Sequence, residues 1–218
     1  MDATVALAGV DDSDLAGLLC SRLCHDLLSP VGALGNGLEL LAGETDPAMR
    51  QGCLELLEQS AQASSAKLRF FRLAFGGGSA GMVPAAEAQA AVEGLARCSR
   101  RITVSWAAGD DPLARVVAKT LLNFALIGID ALVRGGTLEL GLETQEGASE
   151  IVVRASGDRL AFDPAIGRAL DGTLAGDELS SRTAPAAMLH RLALGAGGRL
   201  QYVLDDAALV LGAVLRPG

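Results

Sequence analysis

The segment LCSRLCHDLLSPVGALG, residues 19–35, lies in the middle of a long run of regularly spaced apolar side chains. These side chains recur every three or four residues over 13–42, at Leu15, Leu19, Leu23, Leu27, Val31, Leu34, Leu38 and Leu41. Such spacing places them on one face of an α-helix. The segment therefore predicts one long amphipathic helix over 13–42.

A second helical pattern follows the turn GETDP at 43–47. Asp46 followed by Pro47 is typical of a helix start, because the first turn has no use for the N–H that proline lacks. The stripe then runs through Arg50, Cys53, Leu54, Leu57, Ala61, Ser64, Leu68, Phe71 and Phe75. Two helices joined by a short turn lie antiparallel, and one hairpin alone cannot cover stripes of this length. We therefore expect a homodimer in which two hairpins form a four-helix bundle.

The glycine-rich stretch GGGSAGMVP at 76–84 predicts a boundary between a helical hairpin, 1–78, and a second domain, 79–218. Helix and strand patterns alternate beyond it. Helices are predicted at 85–98, from Asp111 and Pro112 to Val133, and near 164–170 and 179–194. Strands are predicted at 101–106, 137–144, 149–156, 199–204 and 208–215. The expected fold class is α+β, with an α/β sandwich of helices on one face of a mixed sheet of about five strands.

Composition and charge exclude several classes of partner. The chain has 18 Lys and Arg against 26 Asp and Glu, a net charge of -8, which argues against unspecific binding to nucleic acid or to an anionic membrane. The N-terminal stretch is acidic rather than basic, and no apolar run approaches the roughly 20 residues of a bilayer span. We expect a cytoplasmic protein with protein or small-molecule partners.

The cysteines predict neither disulfides nor a metal site. Cys20, Cys24, Cys53 and Cys98 fall within apolar helical pattern, where cysteines are usually small buried hydrophobes. Cys20, Cys24 and His25 are the nearest approach to a metal-ligand set, but only two of them share a helix face. A tetrahedral site needs three or four ligands, so we expect no metal to be bound.

His25 and Asp26 form a polar pair within the first helix. Helical geometry places His25 roughly opposite the apolar stripe, so we expect its imidazole to be exposed. Its predicted neighbours on that face are Arg22, Ser29, Gly32 and Asn36. Pairing the helices about the turn at 42–47 would bring His25 level with Ser64 and Ser65, and Lys67 and Arg69 near Arg22. Such a cationic cluster could neutralise the charge of a phosphoryl group on the imidazole. The alternative interpretation is that these residues are ordinary solvated charges.

The imidazole of such a pair can act as a nucleophile. A substantial fraction of imidazole is neutral near pH 7, and Asp26 can hold one ring nitrogen while the other attacks phosphorus. An exposed histidine is more often an ordinary surface residue. The spacing alone leaves both interpretations open.

Four stretches resemble parts of histidine kinases. HDLLSP at 25–30 resembles the H-D/E-L-x-x-P box of their dimerisation domains, in which the histidine carries phosphate. LLNFALIGIDAL at 121–132 resembles the N-box helix of their ATP-binding domains. VVRASGD at 152–158 resembles the G1 strand and turn, and LALGAGGRLQY at 192–202 the segment before the final hairpin.

The sequence departs from the histidine-kinase pattern at the positions that would bind the nucleotide. Ile127 stands where a second N-box asparagine would follow Asn123, and an isoleucine offers Mg²⁺ no oxygen. Ala155 replaces the G1 aspartate, and SSRTAPAA at 180–187 replaces the glycine-rich G2 loop. The resemblance therefore implies a degenerate ATP-binding domain over 79–218, with no ATP bound and no cofactor of its own.

A kinase-like hairpin beside a disabled ATP domain is similar to the ChpT-type histidine phosphotransferases of alphaproteobacterial cell-cycle phosphorelays. The resemblance implies a dimeric phosphotransferase without autokinase activity, whose phosphotransfer domain is 1–78. His25 would accept phosphate from a receiver aspartate of a hybrid histidine kinase and pass it to CtrA-like response regulators, with Mg²⁺ supplied by the receivers. His25 and Asp26 are the expected catalytic residues. Residues expected to neutralise the phosphoryl group or to bind partners are Arg22, Leu28, Ser29, Gly32, Asn36, Lys67 and Arg69.

Two alternatives remain open: an active histidine kinase with a divergent ATP site, and a non-catalytic adaptor whose hairpin only dimerises. Ser29 could orient water for dephosphorylation of a receiver, although bonding within the helix near Pro30 is the simpler role. His190, Asn123 and Trp106 are predicted to be structural.

Overall fold

The computed structural model describes residues 11–78, 80–99 and 101–216. Within these residues, none of the helices combines the length and the apolar character that a membrane crossing would need.

The helical hairpin forms as predicted. Its helices are α1 (Asp12–Gly43) and α2 (Pro47–Phe75). The Asp46 carboxylate caps α2 by accepting a hydrogen bond from the Ala48 N–H, with Pro47 in the first turn. Arg50 Nη1 donates to the carbonyl oxygens of Leu41 and Glu44, at 3.1 and 2.8 Å, and closes the turn between the helices.

The pairing register of the two helices differs from the prediction. A Cβ added at Gly37 would lie 2.9 Å from Leu57 Cδ2, and Lys67 Nζ reaches the Asp26 carbonyl oxygen. These facing pairs are displaced by about one helical turn from the predicted alignment. The reason is that close packing at Gly37, rather than symmetry about the turn, sets the register.

The second part of the chain is an α/β sandwich. Its longer elements are α3 (Ala85–Cys98), β2 (Ile102–Ala107), α4 (Arg115–Ala131), β4 (Gly136–Gln145), β5 (Ala148–Ser156), α5 (Pro164–Asp171), α6 (Ala184–Gly195), β6 (Arg199–Leu204) and β7 (Ala208–Leu215). The five long strands form one mixed sheet in the order β2-β4-β5-β7-β6. Only β2 and β4 run parallel among the paired strands of this sheet in the described residues. Alternate residues of β5 are buried and exposed, because the helices cover one face of the sheet.

Two helix boundaries predicted in this part were wrong. The helix expected from residues 111–112 begins only at Arg115, because β3 (Leu113–Ala114) pairs antiparallel with β1 (Met82–Val83). The helix expected from 179 begins at Ala184. Before it, the Ser180 N–H donates to Thr183 Oγ1 at 2.9 Å and holds a turn.

The end of α2 packs into the core of the sandwich. Phe70, Phe71 and Ala74 are fully buried and belong to the same hydrophobic cluster as α4 and the sheet. Asn123, also fully buried, donates from Nδ2 to the carbonyl oxygens of Ala74 and Lys119, at 3.2 and 2.8 Å. A shared apolar core and a buried hydrogen bond therefore join the two parts. The boundary after residue 78 stays a prediction, and residues 1–10 of the first domain lie outside the described residues.

The prediction that all four cysteines are buried was wrong for two of them. Cys53 is buried and Cys98 half-buried, but Cys20 and Cys24 are exposed. Each follows a leucine of the packed stripe by one residue, and a rotation of about 100° takes it off that face.

The three residues predicted to be structural have such contacts. Asn123 anchors α4 to α2, as described above. The Trp106 ring is half-buried, and its Nε1–H donates to the Gly109 carbonyl oxygen at 3.1 Å. His190 Nδ1 lies 2.9 Å from the Leu170 carbonyl oxygen, to which it donates at the end of α5.

Candidate functional site

His25 projects from the middle of α1 into solvent. Its side chain is 81% exposed, which confirms the orientation predicted from helical geometry. The helix continues through Pro30, which is buried, so His25 lies within α1 rather than at its end. Because proline has no N–H, it cannot donate to the Asp26 carbonyl four residues earlier. The imidazole is therefore accessible to a partner protein.

Asp26 engages one nitrogen of this imidazole. His25 Nδ1 lies 3.1 Å from Asp26 Oδ1. A carboxylate can only accept a hydrogen bond, so Nδ1 carries the proton in this contact and Nε2 is left with its lone pair. The free lone pair on Nε2 is what a nucleophile requires.

Asp26 is itself held from two further directions. Arg22 Nε donates to Asp26 Oδ2 at 2.7 Å, one helical turn away. Lys67 Nζ donates to the Asp26 backbone carbonyl at 2.6 Å from α2. The side chains of Arg22 and Asp26 are only 13% and 18% exposed, so this polar cluster lies beneath the exposed imidazole.

Arg22 also reaches a residue that sequence reasoning missed. Its Nη2 donates to Oδ2 of Asp130 at 2.7 Å, from near the C-terminal end of α4. The Asp130 carboxyl group is partly open to solvent but closely surrounded by protein atoms. This desolvation raises the pKa of Asp130, and the Arg22 charge acts in the opposite direction.

One sequence signal could have drawn attention to Asp130. An anion near the C-terminal end of a helix is disfavoured by the helix dipole, so an acid there calls for a cationic partner. Which cation would meet it was not readable from the pattern, because Arg22 is 108 positions away along the chain.

Of the two cations predicted near Arg22, Lys67 bonds to the same residue as Arg22, whereas Arg69 takes part in none of the hydrogen bonds described above. The Arg22 guanidinium lies between two carboxylates, Lys67 lies against Asp26, and Arg69 is exposed. Arg69 instead lines an open groove of about 980 Å³ between the hairpin and α3, together with Ser29. The groove begins one turn from His25.

The remaining predicted site residues lie on the exposed surface of α1. Leu28 is 71% exposed, an unusually open position for a leucine beside a polar cluster. The others are exposed small or polar residues that leave space around the imidazole, Ser29, Gly32 and Asn36.

The residues that the kinase resemblance would place around ATP are buried. Asn123 and Ala155 are fully buried and Ile127 is 4% exposed. The Asn123 amide points to α2 through its bond to Ala74, and its Oδ1 has no hydrogen-bond partner within the described ranges. Residues 180–187 form a turn and the start of α6. These residues do not fit a magnesium–nucleotide complex.

No group of three or more His, Cys, Asp or Glu side chains that could hold a metal ion occurs in the part of the chain that the structure describes.

Comparison with known proteins identifies the family. The model of the histidine phosphotransferase C-terminal domain matches residues 85–208. Protein phosphotransferase ChpT of Brucella abortus (strain 2308) is 40% identical over 155 residues, which are 69% of this chain and 71% of that protein.

A solved structure supports the same family. A bacterial phosphotransferase solved at 1.7 Å superposes with a TM-score of 0.83 at 30% identity, over 95% of this chain and 99% of that one. The family model covers more than half of the chain, and the identity to ChpT extends over more than two thirds of it. The chain therefore belongs to the ChpT-type histidine phosphotransferases.

Proposed function

We propose that His25 carries a phosphoryl group between receiver domains. It accepts the group from the aspartate of a hybrid histidine kinase's receiver and passes it to receivers of response regulators, of the CtrA kind. The observation that carries this proposal is an exposed imidazole whose Nδ1 is engaged by Asp26, which leaves Nε2 free. Membership of the phosphotransferase family supports the same reaction.

The chemistry balances without an added reactant. The Nε2 lone pair attacks the phosphorus of an aspartyl phosphate, the N–P bond forms, and the P–O bond to the receiver breaks. The receiver carboxylate leaves with the electron pair, and the imidazole becomes a phospho-imidazolium that keeps its Nδ1 proton. Asp26 stabilises this positive charge through its contact with Nδ1. Attack by the carboxylate of a second receiver reverses the step, and neutral imidazole leaves.

We propose that the chain lacks autokinase activity and binds no ATP. Asn123, Ile127 and Ala155 are buried, and the isoleucine and alanine offer no oxygen to a metal. Mg²⁺ for the transfer then belongs to the acidic pocket of the receiver. Incubation with labelled ATP and Mg²⁺ tests this, since an active kinase would label His25 and a pure phosphotransferase would stay unlabelled.

A homodimer is the assembly that the exposed surface favours. Apolar side chains along one side of both hairpin helices are about half exposed: Val31, Leu38, Leu54 and Leu68. On α1 they share a face with Cys20 and Cys24, away from the Asp26 side. Solvent exposure of such a stripe is unfavourable, and a second hairpin would cover it. The cytoplasmic location expected from the sequence stays a prediction.

The receivers would dock beside His25. Leu28 offers an apolar contact next to the imidazole, and the groove that begins at Ser29 leads to Arg69 on α2. The basic side chain complements the acidic phosphorylation pocket of a receiver. A water-orienting role for Ser29 stays a prediction.

Transfer from a phosphorylated receiver tests the proposal. A labelled receiver is mixed with wild-type protein, His25→Ala and the control His190→Gln, and a second receiver is then added. Label should pass through wild type and the control but not through His25→Ala. Transfer through His25→Ala would overturn the assignment, and so would unchanged signalling by that variant in cells.

A further inference from the structure

A continuous chain of contacts links the imidazole to the α/β sandwich. His25 Nδ1 contacts Asp26 Oδ1 at 3.1 Å, and Asp26 Oδ2 accepts from Arg22 Nε at 2.7 Å. A second nitrogen of the same guanidinium, Nη2, donates to Asp130 Oδ2 at 2.7 Å. Each link is within hydrogen-bond distance, so the series of contacts from His25 to Asp130 is unbroken.

The contact with Asp130 restricts the orientation of the Arg22 side chain. An isolated pair of Arg and Asp four residues apart on a helix surface contributes little to stability and leaves both side chains mobile. Here a second carboxylate, that of Asp130, accepts from another nitrogen of the guanidinium, and the Arg22 side chain is largely buried. A guanidinium held by two of its nitrogens has a fixed orientation.

Asp130 is a rigid anchor for this arrangement. Nearly every residue of α4 is buried, and the helix packs against both the sheet and α2, so packing on more than one side defines the position of its C-terminal end. Asp130 faces Arg22 and Asp26 on α1, and Arg182 lies within electrostatic range from the turn before α6. Of these groups, only Arg22 forms an ion pair with it in the described residues.

We infer that Asp130 is a positioning residue for phosphoryl transfer: through Arg22 it fixes the Asp26 carboxylate, which holds the proton of His25 on Nδ1 and so keeps Nε2 as the reacting nitrogen. This inference rests on the proposed function of His25. It assigns to the α/β sandwich a task that needs no nucleotide, which is to set the tautomer of an imidazole on the hairpin.

The tautomer can be measured directly because the chain contains only two histidines. Protein labelled with ¹⁵N-histidine is studied by long-range ¹H–¹⁵N correlation at about pH 8.5, where imidazoles are neutral. His190 is an internal control, since its Nδ1 proton is bound by the Leu170 carbonyl. The variants are Asp130→Ala, Asp130→Asn and the matched control Glu139→Gln, which removes an exposed ion pair with Arg154 on the sheet.

We expect the ratio of Nδ1–H to Nε2–H tautomers of His25 to fall roughly three- to tenfold in Asp130→Ala, the equivalent of losing one modest hydrogen bond. Asp130→Asn, which can still accept from Arg22, should give a smaller fall. His190 should not change in any variant, and Glu139→Gln should match wild type. In transfer assays, kcat of Asp130→Ala should fall roughly tenfold with KM for the phosphorylated receiver unchanged.

An unchanged His25 tautomer in Asp130→Ala with a wild-type circular dichroism melt would overturn the inference. A rise in KM with kcat unchanged would also overturn it, because Asp130 would then act as a receiver contact. The tautomer readout requires no phosphoryl group. If no label passes through wild-type His25, the proposed function fails, whereas a failed tautomer shift in a protein that does transfer phosphate contradicts the inference alone.

Discussion

Arg22 on the hairpin and Asp130 at the end of α4 form an ion pair of 2.7 Å between residues 108 positions apart. The contact ties the turn that carries His25 to the α/β sandwich. Arg22 also binds Asp26, the residue next to His25. The ion pair is therefore connected through Asp26 to the imidazole that we propose to be phosphorylated.

The same contact predicts a pH effect. Desolvation raises the pKa of Asp130 above its ordinary 3.8, while Arg22 opposes the rise. The carboxyl group of Asp130 therefore stays protonated to a higher pH in the folded protein than in the unfolded chain. Its contribution to stability falls as pH rises from 3.8 through the pKa of the folded state. Arg22→Gln should raise the pKa further. A ¹³C carboxyl titration measures it, with Arg72→Gln as the control.

In urea unfolding over the same pH range, wild type should lose stability relative to Asp130→Asn as pH rises, because asparagine does not titrate. A lower pKa of Asp130 in Arg22→Gln would contradict the electrostatic explanation.

The amide of Asn123 should contribute to stability rather than to nucleotide binding. Asn123→Ala removes the donor to the buried Ala74 carbonyl near the end of α2, where helix carbonyls lack intrahelical partners. We expect a loss of about 1–3 kcal/mol in the free energy of unfolding, measured with urea. Gln51→Ala, which removes an exposed helical amide, is the control and should stay within about 0.5 kcal/mol of wild type. Equal stability of the two variants would refute the anchoring role.

Two glycines with positive φ allow the cost of backbone strain to be measured separately from the cost of steric crowding. A Cβ at Gly172 would lie within van der Waals overlap of the His190 ring, whereas at Gly197 nothing lies within 4 Å. Gly197→Ala should cost about 1–2 kcal/mol from the left-handed backbone alone. Gly172→Ala should cost roughly 1 kcal/mol more, because it also displaces the His190 bond to Leu170. Thermal and urea unfolding of both variants measure the difference, and equal costs would contradict it.

Charge on the exposed apolar stripe should prevent dimerisation. Val31→Asp and Leu38→Asp would each bury an unpaired carboxylate in the proposed four-helix bundle, which costs about 3–5 kcal/mol. The dimer dissociation constant should therefore rise at least roughly 100-fold by sedimentation equilibrium. Both positions are exposed in one protomer, so the fold should persist. Leu194→Asp, at an exposed leucine of the sandwich, is the control, and a dimer that tolerates Val31→Asp as well as Leu194→Asp would place the interface elsewhere.

Most helices and strands were predictable from local pattern. The starts of α2 and α5 follow from an Asp–Pro pair at the cap and first turn, and α1 follows from its apolar spacing. The errors occurred where a distant segment overrides local preference. Residues 113–114 pair with β1 instead of extending α4, and such pairing depends on residues about thirty positions earlier.

For the candidate site, the sequence by itself determined that His25 and Asp26 are adjacent on a helix and that the imidazole faces away from the packed stripe. Both follow from the rotation of about 100° per residue, a property of the local backbone. Only the tertiary structure decided the register of the hairpin, the direction of the Asn123 amide and the meeting of Arg22 with Asp130. These depend on how side-chain volumes fit between elements far apart in the chain, and no local periodicity encodes that fit.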